Sequence, residues 1–130
     1  MTQKFEDVAV NRLLGMRLIS TGVNCATLEM VPTPAMTQET GVIHGGILTV
    51  LADTAAVYAF RPSMETDQLC ASIEFKMNFL APAFVSNGDL IAKAKTLKVG
   101  SRVAVIESTV TQGETQIAKG VFTYLIWRRG

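Results

Sequence analysis

Residues 41–60 combine a glycine-rich start with a long apolar run, and this stretch constrains the fold more than any other. It reads Gly-Val-Ile-His-Gly-Gly-Ile-Leu-Thr-Val-Leu-Ala-Asp-Thr-Ala-Ala-Val-Tyr-Ala-Phe, and from Ile47 to Phe60 only Asp53 is charged. The composition favours an α-helix with apolar side chains on every face, typical of a buried helix or a membrane span. Because the stretch contains His44 and Asp53 and has no basic cluster at either flank, it predicts a buried central helix.

The single carboxylate in this apolar helix, Asp53, needs a physical explanation. An ionised carboxylate in a dry interior costs several kcal/mol unless it is paired or hydrogen-bonded. Two explanations follow: a functional acid, or a structural acid bonded to hydroxyls such as those of Thr49 or Thr54. The strongly apolar surroundings favour the functional acid.

Length and charge narrow the class of protein. The 130 residues, with 12 basic and 11 acidic side chains, are enough for one domain, residues 1–130. A net charge of +1 without a clustered basic face argues against a nucleic-acid partner. The start of the chain has no apolar signal core, so a cytoplasmic protein is expected.

The cysteines and the one histidine give little support to a metal site. Cys25 and Cys70 lie 45 residues apart in apolar sequence and are expected to be buried free thiols. With one histidine and no paired cysteines, a zinc site has almost no ligands to draw on. We therefore expect no metal.

The rest of the chain predicts a short helical segment within residues 1–15 and six strands. The predicted strands are 16–19, 25–31, 72–79, 89–97, 102–110 and 116–127. Short turns separate most neighbours, which favours antiparallel pairing. The prediction is an α+β fold in which one long buried helix packs against a strongly curved antiparallel sheet.

The strand at residues 72–79 shows the clearest alternation of apolar and polar side chains. Its apolar set, predicted to face the core, is Ile73, Phe75, Met77 and Phe79. Ser72 and the other polar residues are predicted to face outward. Because no tight turn joins this strand to the helix before it, we expect it at a sheet edge, where pairing with its twin would give a symmetric dimer.

The motif Gln38-x-x-Gly41-x-x-His44-Gly45-Gly46-x-x-x-x-Leu51-x-Asp53, followed by Ser72 and by Gly100-Ser101-Arg102, resembles the hotdog-fold acyl-CoA thioesterases of the phenylacetate-pathway type. The resemblance extends from the end of the N-terminal segment to the C-terminus and includes the order of elements. It implies hydrolysis of an aryl- or medium-chain acyl-CoA without a cofactor. It also implies a homodimer at least, and a dimer of dimers as the expected assembly.

The resemblance also implies roles for individual residues. Asp53 would act as general base or as nucleophile, and the Gly45 N–H would polarise the thioester carbonyl. Gln38 stands where such enzymes commonly have the asparagine that helps to hold the attacking water, and the extra methylene weakens that assignment. Ser72 matches a strand residue that orients water near the acid. The two halves of the site are expected to come from different subunits.

Physical arguments support the central pair independently. A glycine N–H at a helix N-terminus is a donor aimed outward, with the helix dipole behind it and no Cβ to obstruct a ligand. Asp53 lies eight residues beyond Gly45, about 12 Å along a helix axis. That separation is too large for both groups to serve one carbonyl within a single chain, so a partner subunit must supply one of them.

Substrate contacts are expected at the second glycine of the motif and at a basic turn. The turn offers backbone amides and positive charge to the phosphates of coenzyme A. The predicted contacts are Gly46, Lys98, Gly100, Ser101 and Arg102.

Several alternatives accompany this interpretation. His44 could be a general base, although a lone histidine at a helix start more often caps the helix or tethers the loop. A Ser-His-Asp triad lacks the Gly-x-Ser-x-Gly turn that would present its nucleophile. At the level of function, the alternatives are a non-catalytic acyl-CoA binding or sensing module and a hydratase or dehydratase. The acyl group, and the choice between coenzyme A and a carrier protein, stay open.

Overall fold

The structure, a computed structural model, describes residues 3–130. In this part of the chain, helix α1 spans Ala9–Leu13 and helix α2 spans Gly45–Phe60. The strands are β1 (Met16–Gly22), β2 (Cys25–Met30), β3 (Gln68–Phe79), β4 (Leu90–Val99), β5 (Val103–Gln112) and β6 (Thr115–Arg128). The predicted central helix and six strands are therefore present, with β1, β3 and β6 longer than predicted.

The strands form one antiparallel sheet in the order β1-β2-β4-β5-β6-β3. The sheet is curved and open, and β3 pairs with β6 alone. The prediction that this strand lies at a sheet edge is confirmed. Its outer row of backbone N–H and C=O groups is consequently available to a further strand.

Helix α2 packs across β2, β4 and β5 on one face of the sheet. Both sides of this contact are built largely from alanine. The buried alanines are Ala52, Ala55, Ala56 and Ala59 on the helix and Ala26, Ala92, Ala94, Ala104 and Ala118 on the strands. Short side chains let the backbones approach closely, so the sheet can wrap around the helix without leaving voids. The predicted α+β class is confirmed.

One side of α2 is left open in the single chain. Residues at helical spacing along this side are exposed or only half-buried, among them Gly46, Val50, Asp53 and Val57. The expectation of a helix buried on every face is therefore wrong for one chain, because the sheet covers the helix from one side. Among the described residues, no helix has the length and hydropathy needed to cross a bilayer.

The apolar side chains of β3 face the same side of the sheet as α2, but α2 does not cover them. Phe75, Met77 and Phe79 pair with inward-facing positions of β6. Phe75 is nevertheless 52% exposed and Phe79 55% exposed. The prediction of a core position is wrong for Ile73, Phe75 and Phe79 in the single chain, because α2 packs across β2, β4 and β5 and leaves most of β3 uncovered. Met77 is half-buried and packs against the core.

A β-bulge between Ser72 and Glu74 shifts the alternation of β3 by one residue. Ile73 is the extra residue, so Ser72 pairs with Tyr124 while Phe75 pairs with Phe122. Ser72 therefore lies on the same face of the sheet as the apolar set. The prediction that it faces the opposite way is wrong, because the sequence pattern does not reveal the bulge.

The two cysteines are free, but they are less buried than expected. Cys25 is exposed and Cys70 is half-buried. The expectation of a buried thiol is wrong for Cys25 because this residue opens β2 at the hairpin turn.

Candidate active site

His44 caps α2 and ties it to the preceding loop. Its Nδ1 accepts a hydrogen bond of 2.9 Å from the Gly46 N–H, and its own N–H donates to Met36 O at 2.8 Å. Accepting at Nδ1 places the proton of the neutral ring on Nε2. The geometry is that of a helix cap and a loop tether, the role that the sequence favoured over a general base.

The Gly45 N–H is the amide that the cap leaves free. The next two amides of the helix are engaged, Gly46 with His44 Nδ1 and Ile47 with His44 O. Within residues 3–130 the Gly45 N–H has no acceptor, as is usual for a first-turn amide without a cap of its own. A Cβ on Gly45 would stand 3.0 Å from the Phe79 ring, so any larger residue here would push the ring away from its present position.

A cavity of about 390 Å³ lies beside Gly45. Its walls come from the loop before α2, the start of α2, and the chain from Phe79 to Ala83. Gln38 also lines it, so the structure brings two of the predicted site residues, Gln38 and Gly45, to one cavity. Asp53 and Ser72 are not part of its wall.

Asp53 is held from the opposite side of the core by Tyr124. The Tyr124 hydroxyl donates a hydrogen bond to the Asp53 carboxylate, at Oδ1, and lies 3.2 Å from the Asp53 backbone oxygen. The hydroxyls of Thr49 and Thr54 donate instead to Gly45 O and Val50 O. The two threonines suggested from sequence as partners of this acid are therefore wrong.

Burial dominates the electrostatics of this pair. It raises the pKa of Asp53 above the ordinary value of 3.8, and the hydrogen bond from Tyr124 opposes that rise. The phenol pKa of Tyr124 is raised as well, by burial first and then by the neighbouring carboxylate. Asp53 thus holds its proton more strongly than an ordinary aspartate, as suits a base that works near neutral pH.

Tyr124 was missed by the sequence analysis, although a signal for it existed. It occupies an inward position of β6, between the buried Phe122 and Ile126. A buried tyrosine needs a partner for its hydroxyl, and Asp53 is the acid of the central helix that needs a donor. Matching the two unsatisfied groups would have suggested the pair.

The Gly45 and Asp53 ends of the site lie apart in one chain. Gly45 lies against Phe79, whereas Asp53 is bonded to Tyr124, which pairs with Ser72. Seven residues of β3 separate Ser72 from Phe79, about 20 Å along a strand. The structure therefore places Ser72 opposite Tyr124, the partner of the acid, and Gln38 on the cavity beside the glycine, but it does not bring the two halves together.

The basic turn between β4 and β5 lies at the Asp53 end of the sheet. Val99 pairs with Ala104, which pairs with Tyr124 in the next strand. Beyond that row the turn carries the predicted substrate contacts Gly100, Ser101 and Arg102, of which Gly100 is half-buried and the other two are exposed. Lys98, also exposed, lies in β4 and pairs with Val105. Gly46, the other predicted contact, lies in the first turn of α2, next to Gly45.

Comparison with known proteins now identifies the family. Residues 40–119 match the sequence profile of the thioesterase superfamily. This chain belongs to the thioesterase superfamily. The matched region contains α2, β3, β4, β5 and the first part of β6, and so includes Gly45, Asp53 and the basic turn.

Relatives of this superfamily member share its fold and much of its length. A 1,4-dihydroxy-2-naphthoyl-CoA hydrolase from Listeria monocytogenes is 27% identical over 104 residues, which are 80% of this chain and 83% of that protein. The PaaI protein of the Escherichia coli phenylacetic acid degradation operon superposes with a TM-score of 0.85 at 27% identity, covering 97% of this chain and 88% of the other. The predicted hotdog fold and the resemblance to the phenylacetate-pathway type are confirmed.

A relative from Halobacterium salinarum, provisionally named an esterase, shows higher identity over a shorter region. It is 40% identical over 82 residues, or 61% of this chain. The chain spans about half of the length of that relative, 52%.

Proposed function

We propose that this thioesterase-superfamily protein hydrolyses an aryl- or medium-chain acyl-CoA thioester to the free acid and coenzyme A. The observation that carries the proposal is the free Gly45 N–H, which lies at the positive end of α2 beside a largely apolar cavity. Negative charge develops on the carbonyl oxygen during thioester hydrolysis, and a preorganised donor of this kind stabilises it. One such donor lowers the barrier by on the order of 3 kcal/mol.

In the proposed reaction, the Asp53 carboxylate acts as the general base. Its carboxylate takes a proton from water as the water oxygen bonds to the thioester carbon, and the Gly45 N–H holds the resulting oxyanion. The tetrahedral intermediate then collapses, the C–S bond breaks, and the thiolate of coenzyme A takes up the proton. In the alternative route Asp53 itself attacks the thioester carbon, the C–S bond breaks and coenzyme A leaves as the thiolate. Water then hydrolyses the mixed anhydride, which releases the free acid, regenerates the carboxylate and supplies the proton that the thiolate takes up. Neither route needs a metal or redox cofactor.

The two halves of the site are proposed to meet across a two-fold axis. If β3 pairs antiparallel with β3 of a second copy, with the axis near Phe75 and Lys76, the Phe79 end of one strand adjoins the Ser72 end of the other. The Gly45 half of each chain would then face the Asp53 half of its partner. The open edge of β3 and the half-exposed side chains of Phe75 and Phe79 support this arrangement.

The other predicted residues receive roles consistent with their positions. Gln38, on the cavity wall, is proposed to help hold the attacking water, and Ser72, opposite Tyr124, to orient it beside the acid. The backbone at Gly46 is proposed to contact the substrate next to the thioester. The turn residues Lys98, Gly100, Ser101 and Arg102 are proposed to contact the phosphates of coenzyme A, because their positive charges and amides suit anionic oxygens.

A dimer of dimers is proposed as the full assembly. The face of β6 turned away from α2 exposes three large apolar side chains, Val121, Leu125 and Trp127. Exposed apolar side chains grouped on one face often mark an interface. Light scattering coupled to size-exclusion chromatography measures the assembly directly, and a dimer at all concentrations would contradict the tetramer.

Steady-state turnover on aryl- and straight-chain acyl-CoAs, measured side by side, tests the proposed function. Wild type should hydrolyse members of the panel, and Asp53→Asn should lose on the order of 100-fold or more in kcat. Asp89→Asn, which changes an exposed acid, is the control and should match wild type. If wild type binds these thioesters but hydrolyses none of them above background, the enzyme proposal fails and the binding-module alternative stands.

A further inference from the structure

Gln112, the last residue of β5, has a buried side-chain amide and no role in the reaction proposed above. It is 4% exposed and makes three hydrogen bonds across the core. Its Nε2 donates to Phe84 O at 2.7 Å and to Gly88 O at 2.8 Å, and its Oε1 accepts from the Phe84 N–H at 3.2 Å. One side chain thus holds both sides of the short turn Val85–Asn87, which lies in the connection between β3 and β4.

This connection is directly bonded to the loop that carries the free glycine amide. The Ile43 N–H donates to Ala83 O at 2.8 Å, and Val42 forms an antiparallel bridge with Phe84. Ile43 is followed by the cap residue His44 and then by Gly45. The path from Gln112 to the Gly45 N–H therefore runs through two hydrogen-bonded backbone segments.

The same connection forms part of the cavity beside Gly45. Ala83 and Val42 both line that cavity, and Ala83 is fully buried. A displacement of Phe84 would consequently move the cavity wall and the glycine turn together. The only side chain seen to hold Phe84 within residues 3–130 is that of Gln112.

We infer that Gln112 is a positioning residue for the oxyanion donor, acting through Phe84 and Ala83 to fix the direction of the Gly45 N–H. The inference rests on the proposed thioesterase function, because it assigns Gln112 a role in that reaction. Gln112 touches neither the substrate nor the reacting atoms. Its contribution is to the geometry of a donor that must meet the developing oxyanion within a few tenths of an ångström.

The amide chemistry explains why glutamine suits this position. Phe84 is half-buried, and removal of the Gln112 side chain leaves the Phe84 N–H and the Gly88 carbonyl without the hydrogen bonds they make in the described chain. The Phe84 carbonyl then keeps only the bond from the Asn87 N–H. The segment would then move to regain hydrogen bonds from water. A shift of about 1 Å in a catalytic group can cost on the order of 100-fold in rate.

Gln112→Met tests the inference, with Asn11→Leu as the matched control. Both residues are buried amides that donate to backbone carbonyls; Asn11 is 3% exposed and its Nδ2 donates to Phe5 O at 3.0 Å. Asn11 holds the N-terminal segment, remote from Gly45. A further variant, Gln112→Glu, keeps the size and the acceptor but loses both donated bonds at neutral pH.

Two readouts separate positioning from general stability. In Gln112→Met and Gln112→Glu, kcat should fall on the order of 10- to 100-fold with KM within about twofold, whereas Asn11→Leu should keep kcat within about twofold at a similar loss in Tm. Amide hydrogen exchange should become faster in residues 41–46 and 81–88 of the Gln112 variants, and should be unchanged there in Asn11→Leu.

Failure of this inference can be told apart from failure of the proposed function. If wild type is active and the Gln112 variants lose no more kcat than Asn11→Leu, the positioning role is wrong and the thioesterase proposal stands. If wild type has no thioesterase activity, the proposed function fails, and unchanged exchange in residues 41–46 of Gln112→Met would overturn the structural part as well.

Discussion

The Tyr124 hydroxyl and the Asp53 carboxylate form a hydrogen bond that joins strand β6 to the middle of helix α2 across 71 residues of sequence. The bond gives the Asp53 carboxylate a fixed donor on the sheet side. The residue itself lies on the side of α2 that the sheet leaves uncovered. Burial and this bond act in opposite directions on the acid, since burial favours the protonated form and the bond favours the carboxylate. Changing either one should change the pH dependence of the protein.

Tyr124→Phe should move the acidic limb of the kcat/KM profile to higher pH. The lost hydrogen bond stabilises the carboxylate, so its removal raises the pKa of Asp53 further and leaves less of the base ionised at a given pH. Stability should fall by about 1 kcal/mol. Tyr58→Phe, which alters a tyrosine of α2 outside the pair, is the control. An unchanged limb in Tyr124→Phe would show that Asp53 does not set the profile.

Asp53→Asn should lower kcat on the order of 100-fold or more without lowering stability at neutral pH. Burial raises the pKa of Asp53 in the folded state, so ionisation of this group favours the unfolded chain. Relative to the variant, wild type should lose stability as pH rises from 3.8, the ordinary value, to the raised folded pKa, and the two curves should run parallel above it. Urea unfolding at several pH values measures this. A variant much less stable than wild type at pH 7 would mean that Asp53 is a structural acid.

His44→Asn and His44→Ala should separate a cap from a general base. Asparagine is a good N-cap and can accept from the first-turn amide as Nδ1 does, so His44→Asn should keep the fold and most of the activity. His44→Ala should lose about 1 kcal/mol of stability together with part of kcat. If both variants are equally inactive while His44→Asn remains as stable as wild type, the imidazole itself takes part in the reaction.

Two inactive variants should complement each other if the site is shared between chains. In Gly45→Ala the new Cβ stands 3.0 Å from the Phe79 ring and obstructs the amide, while Asp53→Asn lacks the base. A mixed dimer of the two contains one intact Gly45 facing one intact Asp53. Co-expression should therefore restore about a quarter of the wild-type activity. Activity no higher than that of either variant alone would place the whole site within one chain.

Much of the architecture could be predicted because it depends on local sequence. The apolar run 47–60 indicated a central helix, and the lack of a tight turn before β3 indicated an edge strand. The Gly-Gly pair after His44 indicated a helix start with an exposed amide. In each case the residues that carry the signal are close together in the chain, so no knowledge of tertiary packing was needed.

The features that were missed depend on how distant segments meet. Tyr124 and Gln112 were part of the predicted strand and turn patterns, but their partners lie 71 and 24 to 28 residues away. The uncovered side chains of β3 were assigned to the core because alternation shows which side chains share a face, not whether anything covers that face. Which side chains are buried depends on how the helix packs against the sheet, and the alternation within one strand does not show this.

The bulge at Ile73 divides β3 into two halves with opposite phase. Because Ser72 pairs with Tyr124 and Glu74 with Thr123, deleting Ile73 would leave regular pairing with β6 along the whole strand. If Ile73 were kept and the bulge were lost, one half of β3 would instead shift its pairing by one residue, and Ser72 and Phe75 would face opposite surfaces of the sheet. One exposed bulge residue therefore lets the two ends of this strand present their side chains to the same space.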